Sequence, residues 1–208
     1  MRMSMSSLVI VLSASTASAG FVDFQVAPST TGSLFYGGLG GSLVGSGINI
    51  PSVVGIDTPA NDGVTQIFLN ASLSFSTGSY IDNDDGSGWH FGPGGSLRIS
   101  SGNTVFLSGV FTGITEVVQT ANYFKIVGSS HVSLLDPSLA SFYGLPSIPY
   151  DGGLTILFST PSTPGNDFST ASIHGGSVSL VTAVPEPSTL VLIGTGLAAL
   201  GIKLRRKA

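Results

Sequence analysis

Cysteine is absent from the 208 residues, which excludes disulfides, thiolate metal sites, iron–sulfur clusters and thiol chemistry. Charge is almost as scarce: 9% of the chain, against about 25% in an ordinary soluble domain. Tryptophan occurs once. Of the seven cations, Arg2, Lys203, Arg205, Arg206 and Lys207 stand at the two ends. Between Gly20 and Val184, Arg98 and Lys125 face ten carboxylates, a net of −8 where the whole chain carries −4. Such a body has no basic face to offer phosphates, so a nucleic-acid partner is excluded. It repels acidic lipid, stays soluble and attracts divalent cations. Local catalytic signatures are missing as well. His90, His131 and His174 are far apart, with no H-E-x-x-H spacing, and no G-x-S-x-G elbow occurs. The sequence therefore nominates no catalytic residue, and the chain reads as non-enzymatic.

What the chain does have is glycine (29 residues), phenylalanine (12) and 42% hydrophobic residues. There is no three-residue glycine period, so collagen is out, and too much apolar material for a disordered tail. Alternation dominates the middle. From Thr65 to Thr77, Ile67, Leu69, Ala71, Leu73 and Phe75 fall on one face and Asn70, Ser72, Ser74 and Ser76 on the other. Val105, Leu107, Gly109 and Phe111 repeat the pattern. Further short runs lie at 21–26, 97–99, 114–118, 123–127, 131–135, 154–158 and 177–181, separated by glycine turns. The stretch from Ser29 to Gly63 is rich in glycine and reads as loops with weak strands. Asp136-Pro137 through Gly144 offers a cap, a proline at the first helical position and a closing glycine, enough for one or two helical turns. This pattern predicts an all-β body over 20–183, a β-sandwich or jelly roll of about nine to eleven strands.

The two ends are targeting segments in character. A positive start, the apolar run Leu8–Leu12 and the small residues Ala17-Ser18-Ala19 make a secretory signal over 1–19, with cleavage by signal peptidase expected between Ala19 and Gly20. At the other end, Val184-Pro185-Glu186-Pro187-Ser188 is followed by an apolar run from Thr189 to Ile202 and a basic end, Lys203, Arg205, Arg206 and Lys207. Fourteen helical residues span about 21 Å, short of the roughly 30 Å hydrocarbon core. Snorkelling lysines and arginines lengthen the reach and hold the C-terminus on the cytoplasmic side, giving one short transmembrane helix, N-out and C-in. Gly194-Thr195-Gly196 inside this run mimics a dinucleotide-binding turn, but the second strand and the acidic residue that such a fold requires do not follow.

Residues 184–208 together resemble the PEP-CTERM sorting signals of Gram-negative bacteria. The motif falls on Pro185, Glu186 and Pro187, ahead of a short helix and an arginine-rich end. The resemblance implies recognition by an exosortase, removal of the helix, and a destination at the cell surface or in the extracellular matrix of a bacterium that makes exopolysaccharide. It says nothing of the body.

One polar cluster in the body invites a binding role. Asp82, Asp84 and Asp85 lie within four residues and repel unless solvated or bridged, and calcium favours oxygen-rich loops of this kind. The match to a calcium-loop pattern is incomplete, because Gly86 occupies the third ligand position. Trp89 follows directly. Exposed, it would stack on a sugar ring; buried, it would plug one end of the core. A surface protein without catalysis is the first expectation. A carbohydrate- or calcium-binding module on a plain membrane tail is the alternative, and calcium is the one cofactor considered. A hydrolase would need one histidine joined in a cleft to a serine or carboxylate.

Overall fold

A computed structural model describes residues 20–28, 32–38, 40–82, 86, 88–146, 149–168 and 172–182. The body, Ala19–Ala183, forms one compact unit. Its strands are β1 (Phe21–Val26), β2 (Ser33–Tyr36), β3 (Ser42–Asn49), β4 (Ser52–Ile56), β5 (Thr65–Ile67), β6 (Ser72–Asp82), β7 (Gly88–Phe91), β8 (Gly95–Ser101), β9 (Thr104–Phe111), β10 (Thr115–Gln119), β11 (Phe124–Leu135), β12 (Tyr150–Ser159) and β13 (Ser172–Thr182). One helix, α1 (Pro137–Tyr143), stands between β11 and β12.

All thirteen strands belong to one sheet, and every pairing between them is antiparallel. Several consecutive strands are two halves of one bent course. β1 pairs with β4 while β2 pairs with β3, and β4 pairs with β5 while β3 pairs with β6. Likewise β7 and β8 lie in series along β6, and β9 and β10 lie in series along both β8–β7 and β11. Taken as courses, the wall has eight staves, each beside its neighbours in the chain. The eighth, β13, then pairs with the first: Phe21 lies opposite Val181 and Val26 opposite Gly176. An outlying bridge, Tyr36 with Phe168, extends that seam. The result is a closed up-and-down barrel.

The β class expected from the alternation is therefore present, but the sandwich or jelly-roll arrangement is not what the register shows. Those folds need two sheets joined by crossovers, whereas here each stave bonds to the one before and the one after. Alternation cannot separate the two, since both put every second residue into a single core. An eight-strand barrel leaves an interior that side chains just fill. Val22, Phe24, Ile48, Leu73, Ile99, Leu107, Ile126, Ile156 and Val178 occupy it, all buried. On β6 and β8 the outer face carries serines, Ser72, Ser74, Ser76, Ser96 and Ser100.

Glycine and aromatic rings divide the interior between them. Gly45 lies directly opposite Phe75, and a Cβ on Gly45 would run into the Phe75 ring. Gly128 makes the same room for Phe111, and Gly55 for Tyr143. The Gly-rich stretch from Ser29 to Gly63 accordingly holds three strands, β2, β3 and β4, where loops with weak strands were expected. Composition misleads at these positions because glycine in the wall is set by the ring it faces.

The Thr65–Thr77 alternation is interrupted. Asn70 has a φ of 60°, and the chain breaks between β5 and β6. Ala71, Leu73 and Phe75 are buried as expected, but Ile67 and Leu69 are 72% and 83% exposed. Phe68 packs inward in their place, stacked on Phe106 with ring centroids 4.4 Å apart. The helix forms as its end signals require. The Asp136 carboxylate accepts from the Ser138 and Leu139 amides at 3.0 Å, and Gly144 closes the helix in the left-handed region. Leu139 and Tyr143 point into the core, and the Tyr143 hydroxyl donates to the carbonyls of Val53 and Val64 at 3.1 and 2.9 Å.

Phe75→Ala should destabilise the fold by about 3–5 kcal/mol in denaturant melts. Gly45→Ala alone should destabilise it too, and should cost less in a Phe75→Leu background, because the added methyl then meets a smaller side chain. Additive losses in the double variant would contradict the glycine–ring pairing.

Candidate functional site

The acidic turn between β6 and β7 begins at Asp82, whose Oδ1 lies 2.8 Å from Nδ1 of His90. Asp84 and Asp85 lie outside the described residues, so of the expected calcium ligands only Asp82 is placed. Among the described residues no three His, Asp or Glu side chains gather to hold a metal ion. His90 also lies opposite Glu116 on β10, so the outer face carries the row Asp82, His90, Glu116 across three staves.

Trp89 is fully buried, which corrects the reading of it as an exposed sugar platform. Its ring meets Phe124 and Phe168 edge-on at centroid distances of 5.0 and 5.4 Å. Its Nε1 donates to the Asn166 carbonyl at 2.9 Å, so the 160–168 segment is fastened across the barrel mouth. Alternation explains this: on β7, Trp89 and Phe91 take the inward positions and His90 the outward one. Tyr36, Tyr80 and Phe91 extend the same aromatic plug.

Each histidine has one polar partner. His131 Nδ1 lies 3.9 Å from Asp151 directly across the sheet, and His174 Nε2 lies 2.9 Å from the Ser159 hydroxyl. The Tyr123 ring rests on His174 at 4.5 Å. These contacts bring a histidine beside a serine or carboxylate, as a hydrolase would require. All three are cross-strand contacts on the outer wall. A triad needs a third member that orients the base, and among the described residues no carboxylate pairs with His174. One shallow hollow of about 280 Å³ lies between the end of β11 and α1, lined by Ser133, Leu135, Pro137, Ala140 and Tyr150. None of the histidines borders it.

Four tyrosines are buried enough to matter electrostatically. Burial pushes the Tyr36, Tyr80, Tyr143 and Tyr150 hydroxyls above the ordinary value of 10.0. Neighbouring Tyr80 and Asp167 add to the rise at Tyr36, and Asp82 adds to it at Tyr80.

The remaining sequence-nominated residues concern the ends. Ala17 and Ala19 lie outside the described residues; Gly20 is described and buried, so close to the next loop that a Cβ would stand 2.7 Å from the Asp57 carbonyl oxygen. Pro185, Glu186, Pro187, the apolar run and Lys203, Arg205, Arg206 and Lys207 also lie outside them. Among the described residues no helix is long and apolar enough to cross a membrane. Comparison with known families decides the character of the C-terminus: residues 183–207 match the model of the PEP-CTERM protein-sorting motif. The chain carries a PEP-CTERM sorting motif. That motif implies export and processing by an exosortase, and it bears out the resemblance seen in Pro185, Glu186 and Pro187. The PEP-CTERM match stops at the tail and does not extend into the barrel. No curated protein and no solved structure matches the chain.

Two measurements check this subsection. Trp89 emission should be blue-shifted in the native protein, red-shifted on unfolding, and unmoved by added polysaccharide. The four raised tyrosine values favour the neutral hydroxyl in the folded state. Stability should therefore hold up to about pH 10 and fall as pH rises through the folded values. Melting temperatures recorded from about pH 8 to about pH 12 read this directly, and a flat profile would contradict the burial argument.

Proposed function

We propose that this chain is an exported, non-enzymatic surface or matrix protein: a small filled barrel delivered across the membrane, held briefly by its tail, then released to a matrix that contains exopolysaccharide. The PEP-CTERM match over residues 183–207 carries the reading. Signal peptidase removes residues 1–19. The apolar run from Thr189 to Ile202 then holds the chain in the inner membrane, N-out and C-in, with the basic end on the cytoplasmic side. Glu186, between two prolines, is the feature the exosortase reads.

The body's chemistry supports this role. A core filled by side chains offers stability without a reaction chamber, and histidines in open cross-strand pairs are ordinary sheet contacts. Cysteine-free construction frees folding outside the cytoplasm from any oxidation step.

Intact mass of the protein from membrane and medium, in the native host and in an exosortase-deficient one, tests the reading. The native host should yield a product lacking both residues 1–19 and the tail. The deficient host should retain the tail in its membrane fraction, as should Glu186→Ala in the native host. Identical mass and location in all three would overturn the reading.

A further inference from the structure

Val181 is the last residue but one of β13, and it points outward, 44% exposed. It lies directly opposite Phe21 on β1, and Phe21 lies directly opposite Ile56 on β4. Phe21 and Ile56 are half-buried and face outward as well, since their neighbours Val22, Gly55 and Leu180 are buried in the interior. Three adjacent staves thus carry one continuous apolar row, at the end of the barrel where β13 leads into the tail. Carboxylates border it. Asp151 lies opposite Val181 on β12, Asp23 stands two residues from Phe21 along β1, and Asp57 follows Ile56. All three are exposed or half-buried, so the patch is apolar at its centre and negative at its rim.

The length of the chain beyond β13 decides what reaches this row. Residues 183 and 184 separate Thr182 from Pro185, and three fully extended residues span about 10 Å. Neighbouring strands are about 4.8 Å apart, so the row extends only about 10 Å across the wall from the root of the tail. A standard protein contact covers about 800 Å² per partner, a disc roughly 30 Å wide. An enzyme that reads Pro185, Glu186 and Pro187 therefore meets this row. An apolar centre with a polar rim is the anatomy of such a contact. Other occupants fit less well. Acidic lipid would be repelled by the three carboxylates, and a second copy would bring the same three to the same rim.

We propose that the row Val181, Phe21 and Ile56 is a docking patch for the exosortase, separate from the sorting motif. An apolar surface of the enzyme, flanked by lysine or arginine, seats on it and keeps Pro185, Glu186 and Pro187 at the enzyme. The proposal rests on the exosortase reading above and adds a second contact to it. The motif then supplies the specificity, and the patch raises its effective concentration.

The rate of tail removal in the native host, read by intact mass after pulse labelling, tests it. Val181→Thr/Ile56→Thr keeps a β-branched side chain at both positions and should leave the melting temperature of the full chain in mild detergent close to wild type. Its tail should be removed about fivefold more slowly, the effect of two apolar contacts made polar. Should the double variant melt low, Val181→Thr alone carries the same test on the exposed member. Phe21 is left in place because it lies two residues past the expected signal-peptidase bond. Val127→Thr/Ile114→Thr, at exposed apolar positions elsewhere on the wall, should be processed at the wild-type rate. The chain has no cysteine, so Val181→Cys accepts a single photo-crosslinker. In native membranes it should link to a tagged exosortase, and Val127→Cys should not. Wild-type processing of Val181→Thr/Ile56→Thr, equal slowing in Val127→Thr/Ile114→Thr, or a link from Val181→Cys to lipid or to a second copy in place of the exosortase would overturn the proposal. Glu186→Ala reads the motif separately. If it stops tail removal while the patch variant is processed normally, this proposal falls and the sorting reading stands; if the native host removes no tail at all, both fall.

Discussion

A wall of eight courses has free edges until its last course finds its first, and the union of Phe21–Val26 with Gly176–Val181 supplies that closure. Without it the body would expose two edges of unpaired amides and carbonyls, each a template for pairing with another chain. With it, every course has a neighbour on both sides, and the alternation of each strand points into a single core. The union joins residues at opposite ends of the body's sequence, so it carries the largest loop-closure cost of any pairing in the fold. The remaining pairings are hairpins or near-hairpins between neighbours. They form locally and cheaply, and the seam sets the final geometry.

Closure also fixes what the interior can hold. Its radius is set by strand number, so each added ring must be matched by a missing side chain nearby. Gly45 under Phe75, Gly55 under Tyr143 and Gly128 under Phe111 are three instances of that exchange. The high glycine content, which in a sequence suggests loops, is partly a packing device of the wall. Its two mouths are treated differently. Tyr143 anchors α1 through two backbone carbonyls, while Trp89 fastens the 160–168 segment through the Asn166 carbonyl.

Much of this could be read from the residues. The capping signals at Asp136 and Gly144 placed the helix, and the alternation at 105–111 placed a buried strand. The sorting tail was legible because its three parts depend on local sequence alone. Ile67 and Leu69 were misplaced because a left-handed turn at Asn70 shifts the phase of the alternation, and only the pairing with β4 reveals it. Trp89 was left open because its neighbours on the sequence are acidic, while its neighbours in space are Phe124 and Phe168. The sandwich expectation failed for a related reason: periodicity reports which face is buried and is silent on which strands pair.

β13 is the stave that leads into the sorting tail, and it is held on both flanks, by β12 through Ser159 and Ser172 at one end and Tyr150 and Thr182 at the other, and by β1 along half its length. Tension applied at its C-terminal end runs parallel to the strand and perpendicular to those hydrogen bonds. The bonds are loaded together as a lap joint, and none is peeled before the next. A chain tugged by its tail thus meets its greatest mechanical resistance at the point of pull, and the barrel transmits the force as a unit.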